Sequence, residues 1–197
     1  MILFDEPTHT YTNEDGEIVT SVTTILRAMG FGGYYKDNGA KERGTEIHNA
    51  LEIELTTPGG YEGDNRYVQS CLNRLQEFRL ASGLIVIEAE SLVYSRSYNY
   101  AGKFDVLFED RRRERFLCDF KTGVSVAPET KLQLALYDIA SGAGIYRKPY
   151  GRMALHLTDK KCKPVNYLEK GDYAIAIALV KKYHENMSKY SSRLERN

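Results

Sequence analysis

Two alternating segments, Lys103 to Glu109 (KFDVLFE) and Arg115 to Lys121 (RFLCDFK), flank a polar stretch at 110–114, and no other feature constrains the fold as tightly. Successive side chains of a strand point to opposite faces. Phe104, Val106 and Phe108 therefore fall on one side of the first segment, with Asp105 and Leu107 on the other. In the second segment Asp119 and Lys121 share a side. A turn over 110–114 closes an antiparallel hairpin in which Glu109 faces Arg115, Leu107 faces Leu117 and Asp105 faces Asp119. Directly opposed residues have Cβ atoms about 5 Å apart, and like charges at that distance destabilise a sheet. A cation between the two carboxylates reverses the sign of that interaction, and Lys121 stands one step along the same face. The bland alternative is a charged, solvated hairpin face.

Three further segments carry polar groups at informative positions. Arg43 to Leu51 (RGTEIHNAL) reads as the opening of a helix, with Thr45 near its start and Glu46 in the first turn. Ile47, His48, Leu51 and Leu55 recur at helical spacing, which puts His48 on the buried stripe, either as a hydrogen-bonded core histidine or as a metal ligand. Pro128 to Ser141 (PETKLQLALYDIAS) is a second helix with Pro128 in its first turn. Its Gln133 and Tyr137 are four residues apart and project together beside the apolar stripe. Leu84 to Tyr94 is a strand on which Glu88 and Glu90 share a face.

In chain order these pieces are Gly44-Thr45-Glu46-Ile47-His48, Glu90, Gly102-Lys103-Phe104-Asp105, Asp119-Phe120-Lys121 and Gln133-Leu134-Ala135-Leu136-Tyr137. Together they resemble the PD-(D/E)XK nuclease superfamily, in its RecB-type and phage exonuclease branch with a lambda-exonuclease-like core. The resemblance covers about 43–140. His9-Thr10-Tyr11, Asn13-Glu14-Asp15-Gly16 and Ser21-Val22-Thr23-Thr24-Ile25-Leu26 look like the opening of phage-encoded members. Phe104 stands where the superfamily often has Pro.

The resemblance implies one nuclease domain over 1–197 with a restriction-endonuclease-like core. It implies Mg²⁺ or Mn²⁺ held by His48, Asp105, Asp119 and the Phe120 carbonyl. Lys121, Asp119, Asp105 and Glu90 would carry the chemistry, with DNA as substrate and exonuclease favoured over endonuclease. Gln133, Tyr137, Thr122, Tyr35, Lys36 and Arg43 are the candidate substrate contacts. A homo-oligomer or a phage recombination protein is the partner to consider, in the cytoplasm of a bacterium or an infected host. The rival reading is a catalytically inactive DNA-binding or protein-binding module on the same fold.

Composition is compatible with this. A chain of 197 residues with 42% hydrophobic content can bury a core. The apolar run 174–180 is far short of the roughly 20 residues that span a bilayer, and the N-terminus has no basic flank or long apolar stretch of a signal peptide. Cys71, Cys118 and Cys162 are scattered without a C-x-x-C pair, which argues against zinc and disulfides and, being three, against an iron–sulfur cluster. The 27 basic and 27 acidic residues balance, although nucleic-acid binders are usually basic. Local clusters offset this at Arg111, Arg112, Arg113 and Arg115, and again at Arg147, Lys148, Arg152, Lys160, Lys161 and Lys163 with Tyr146 and Tyr150 interleaved. The segment 31–36 (FGGYYK) is either a base-stacking loop or a loop packed by its own tyrosines.

The remaining elements follow from pattern: a hairpin over 4–19 turned at 13–16, a helix over 21–29 started by Ser21, an amphipathic helix over 65–81, a strand over 152–158 and a long helix over 172–187. The expected architecture is α/β of the mixed α+β kind, a mixed central sheet flanked by helices with an N-terminal β-hairpin.

Overall fold

The computed structural model describes residues 2–32, 38–143 and 147–194. The chain opens with three short strands, β1 (Ile2–Asp5), β2 (Thr10–Asn13) and β3 (Ile18–Ser21), paired in antiparallel order. This is a meander where the sequence predicts one hairpin. The expected turn at 13–16 is present, with the Asn13 side chain accepting from the Asp15 and Glu17 amides and Gly16 at φ 81°. A second turn before it is closed by Asp5, whose carboxylate accepts from the Thr8 amide.

Helix α1 (Val22–Ala28) starts where Ser21 accepts from the Thr24 amide at 3.0 Å. Helix α2 (Asn38–Thr56) begins well before the predicted start near Thr45. Helix α3 (Arg66–Ser82) is capped by Asn65 and ends at left-handed Gly83. Strands β4 (Ile85–Ser95), β5 (Tyr100–Glu109) and β6 (Arg115–Lys121) are antiparallel as predicted. Helix α4 (Thr130–Ala140) starts two residues after Pro128, which lies in the preceding turn. Strand β7 (Gly151–Leu157) runs parallel to β6.

Strand β8 (Cys162–Tyr167) pairs antiparallel with β7 and is not among the elements expected from sequence, because Pro164 and Lys163 mask its pattern. It is a sheet edge, where a proline is tolerated. Helix α5 (Gly171–Leu194) closes the described chain. Among the described residues, no helix is long and apolar enough to cross a membrane.

The sheet order is β1-β2-β3-β5-β6-β7-β8, with β4 also on β5. Because β4 covers one edge of β5 along its length, β3 and β6 share the other edge. β3 takes Tyr100 and Ala101, and β6 takes Val106 to Glu109. Among the described residues, no strand pairs with the stretch 102–105 on that edge.

Helices cover both faces of the sheet. One core joins α1, α4 and α5 to Tyr100, Phe104, Leu107 and Leu117. The other joins α2 and α3 to Val106, Phe108, Cys118, Phe120 and Leu155. Phe104 thus lies across the sheet from Val106 and Phe108, contrary to the simple alternation. The β4–β5 ladder pairs Ser91 with Phe104 and then Ala89 with Val106, skipping Glu90 and Asp105. Glu90 has φ +50°, a conformation that costs a non-glycine residue free energy. Both strands leave out one residue there, so the face changes across the two acids while the register is kept; the register shift of this ladder lies between Val86 and Glu88. Glu88 is exposed while the Glu90 side chain is only 13% exposed, so the two do not present alike.

At the open stretch of β5, Gly102 lets the Tyr137 ring lie against the backbone. A Cβ there would come 2.4 Å from Tyr137 Cε1, and the buried ring has little room to move. We predict that Gly102→Ala lowers unfolding free energy by about 1–3 kcal/mol. Equilibrium urea denaturation measures this, and an unchanged midpoint would contradict the packing.

Candidate active site

The site forms where β5 and β6 part. Leu107 faces Leu117 and Glu109 faces Arg115, as the sequence predicts, but the ladder stops at Val106 and Cys118. One step further the Phe120 amide donates to Asp105 Oδ2 at 2.5 Å. A side-chain carboxylate replaces the backbone carbonyl that a continuing ladder would offer, so Asp105 is drawn into the seam between the strands.

Asp119 is nearly buried, with 3% exposure. Its Oδ1 accepts from Gln133 Nε2 at 3.1 Å, and its Oδ2 lies 2.6 Å from Lys121 Nζ. Lys121 Nζ also donates to Gln133 Oε1 at 3.0 Å, and Gln133 Nε2 donates to the Tyr137 hydroxyl at 3.0 Å. One amide on α4 therefore ties the acid, the ammonium and a buried phenol into a single network. The four-residue spacing of Gln133 and Tyr137 is what lets both reach it.

Helix α2 brings His48 in from the other face. Ile47, Ala50 and Leu51 are fully buried, whereas His48 sits at the margin of that stripe with a side chain 37% exposed. The ring packs edge-on against Phe120, and Nδ1 lies 3.8 Å from Asp105 Oδ2. Gly44, one turn earlier, passes close to Thr122 at the end of β6, where a Cβ would lie 3.3 Å from Oγ1. Glu90 Oε2 lies 2.7 Å from Lys103 Nζ, which also reaches Glu52 at 3.9 Å. A cleft of about 210 Å³ opens onto His48, Glu52, Glu90, Lys103, Asp105 and Tyr137.

Electrostatics follow from this crowding. Burial and then the Asp119 charge raise the Asp105 carboxyl well above the ordinary carboxylate range. Burial, followed by the Asp105 charge, pushes Glu90 up to about 7. Burial lowers the His48 imidazole against the opposing pull of Asp119, favouring the neutral ring that can donate a lone pair.

The donor set, two carboxylates, a backbone carbonyl and a neutral imidazole, fits Mg²⁺ or Mn²⁺ in kind. Two donors of one such ion stand between about 3 and 4 Å apart, and the 3.8 Å from His48 to Asp105 lies in that span. Among the described residues, no three such side chains already enclose an ion position. Ammonium groups and a backbone amide hold the acids instead: Lys121 on Asp119, Lys103 on Glu90 and the Phe120 amide on Asp105.

Of the other residues singled out from sequence, Arg43 is exposed on α2, and Tyr35, Lys36 and Tyr146 lie outside the described residues. The basic clusters divide. Arg113 and Arg115 pair with Glu109, Arg147 with buried Asp138, and buried Arg152 with Asp172. Lys160, Lys161 and Lys163 remain at the surface. The sequence motifs include Lys103 but give it no role, and they leave out Glu52. Lys103 lies two residues from Asp105 in the same strand, a spacing that could have flagged it, whereas Glu52 is one helical turn beyond His48 and needed the docking of α2 to be seen.

No protein-family model matches the sequence, and neither does any curated protein. Solved structures do resemble the fold. The structure of LHK-Exo in complex with dAMP superposes with TM-score 0.50 at 15% identity, covering 90% of this chain and 92% of that one. A second structure of that alkaline exonuclease from Laribacter hongkongensis gives 0.49 at 14% identity over 90% and 92%, and SSO0001 gives 0.40 at 13% over 83% of each chain. The fold likeness rests on the first of these, and it identifies a mixed sheet flanked by helices of the same architecture.

Glu90 takes up its proton between its unfolded pKa near 4.5 and about 7, so the folded state binds more protons in that window and stability falls as pH rises through it. Without divalent ions, the fall between pH 5 and pH 7.5 should be smaller in Glu90→Gln than in wild type, by on the order of 1–3 kcal/mol. Denaturant titrations at both pH values measure it, and equal slopes would place Glu90 in a solvated setting.

Proposed function

We propose that the protein is a divalent-metal-dependent nuclease that hydrolyses phosphodiester bonds in DNA, acting from strand ends. One observation carries the reading: Asp105 and Asp119 from adjacent strands and His48 from α2 converge where Lys121 is held by Gln133. Buried Asp119 and the mostly covered Asp105, whose proton affinity is strongly raised, stand beside an ammonium group, the kind of crowding that favours a functional site. The likeness to an alkaline exonuclease supports an exonuclease over an endonuclease.

Asp105, Asp119, the Phe120 carbonyl and the His48 imidazole would hold Mg²⁺ or Mn²⁺. When bound, such an ion neutralises charge on the scissile phosphate and acidifies a water molecule. In hydrolysis a water oxygen bonds to phosphorus and gives up a proton, the bond to the leaving oxygen breaks, and that oxygen takes up a proton, so that proton and charge balance. Lys121 supplies positive charge to the phosphoryl oxygens as negative charge builds on them, and it orients the attacking water. Gln133 is a positioning residue, because its amide fixes both the Lys121 ammonium and Asp119. Tyr137 is buried beneath it and acts by fixing the amide. Glu90 sits at the cleft with a carboxyl poised near neutrality to exchange a proton with water.

Labelled linear DNA should be degraded in Mg²⁺ or Mn²⁺ and left intact in chelator, with covalently closed circles resistant. Lys121→Ala should lower the rate at least a hundredfold while metal and DNA binding stay near wild type. Hydrolysis retained by that variant would remove Lys121 from the chemistry, and wild-type protein inert under every divalent ion would overturn the nuclease reading.

A further inference from the structure

Beyond the acids, the same sheet face continues into a groove with a different charge. Lys121 pairs with His156 on β7, and His156 pairs with Lys163 on β8, so the three form one row across the sheet. At about 4.8 Å per strand the row spans about 10 Å. It runs from the site into a groove of about 530 Å³ that Lys131 and Lys161 also line. The loop 124–128 supplies an apolar lining, with Val124 fully exposed. Tyr167, at the end of β8, lines it too.

The charge of this groove is unlike that of the chain as a whole. Acids and bases balance at 27 each over the sequence, yet among the described residues no Asp or Glu lines the groove. Elsewhere near the site the lysines are neutralised: Lys103 by Glu90, Lys121 by Asp119 and Lys131 by Asp172. Lys161 and Lys163 are exposed and have no ion pair among the described residues. Two adjacent uncompensated ammonium groups repel each other, and a polyanion lying across them removes that cost.

We propose that this groove binds one unpaired polynucleotide strand, with phosphates on Lys161 and Lys163 and bases against the 124–128 loop and Tyr167, and leads it to Lys121. The inference rests on the nuclease reading for the identity of the polyanion. A duplex buries its base faces in the stack and has no use for an apolar lining, whereas a single strand presents phosphates and base faces together.

The test is fluorescence anisotropy with a labelled oligothymidylate of roughly 12 nucleotides, in chelator so that the strand stays intact. A Lys161→Ala/Lys163→Ala variant should bind on the order of tenfold more weakly at low salt. Its log-affinity against log-salt slope should be shallower by about 1.4. A Lys181→Ala/Lys182→Ala control, on exposed positions of α5, should match wild type. Wild type should prefer the single strand to a hairpin duplex of equal length. Unchanged binding by the groove variant, equal losses from both pairs, a preference for duplex, or no binding by wild type would each overturn the proposal. Hydrolysis in Mg²⁺ is read separately on the same proteins. Groove-dependent binding without hydrolysis leaves the groove standing and removes the nuclease reading, whereas hydrolysis with unaltered binding in the groove variant removes the groove alone.

Discussion

The hydrogen bond from the Phe120 amide to the Asp105 carboxylate is the point on which the site turns. It ends the β5–β6 ladder, holds the two strands at the distance of a side chain rather than a backbone pair, and fixes Asp105 between the two faces of the sheet. The same irregularity appears on the other side of β5, where Glu90 takes a left-handed conformation opposite Asp105 and the two leave a gap in the ladder. A strand that kept strict alternation would have sent Asp105 wholly to one face.

This arrangement costs stability. Two acids are packed close together in a poorly hydrated seam, which is why the proton affinity of Asp105 rises. Lys121 and Lys103 offset part of the charge, and the surrounding cores offset the rest: Leu107 and Leu117 against α4 on one face, Phe120 and Leu155 against α2 and α3 on the other. Stability given up at such a point is the pattern expected where a protein holds a site ready for a ligand.

Much of this was legible in the sequence because it depends on local periodicity. The turn at 110–114 sets the register of Leu107 with Leu117, and the helix period joins Gln133 to Tyr137. What the sequence concealed depends on non-local geometry. The alternation rule misplaces Phe104, because nothing in the residue types announces the change of face at Asp105. His48 was expected within the apolar stripe, and only the docking of α2 places it at the margin. β8 was hidden by Pro164, which an edge strand accepts and an interior strand would not. The basic residues at 147–163 looked like one cluster, but Arg147 and Arg152 are consumed by buried acids while the lysines remain exposed.

The most direct test of the account is a crystal structure of the protein grown with Mn²⁺ and measured at the manganese absorption edge. The account predicts an anomalous peak bounded by Asp105, Asp119 and the Phe120 carbonyl, with the His48 imidazole turned toward it and Lys121 released from Asp119. Well-diffracting crystals saturated with the ion that show no peak between these residues, or a peak only elsewhere on the surface, would contradict it.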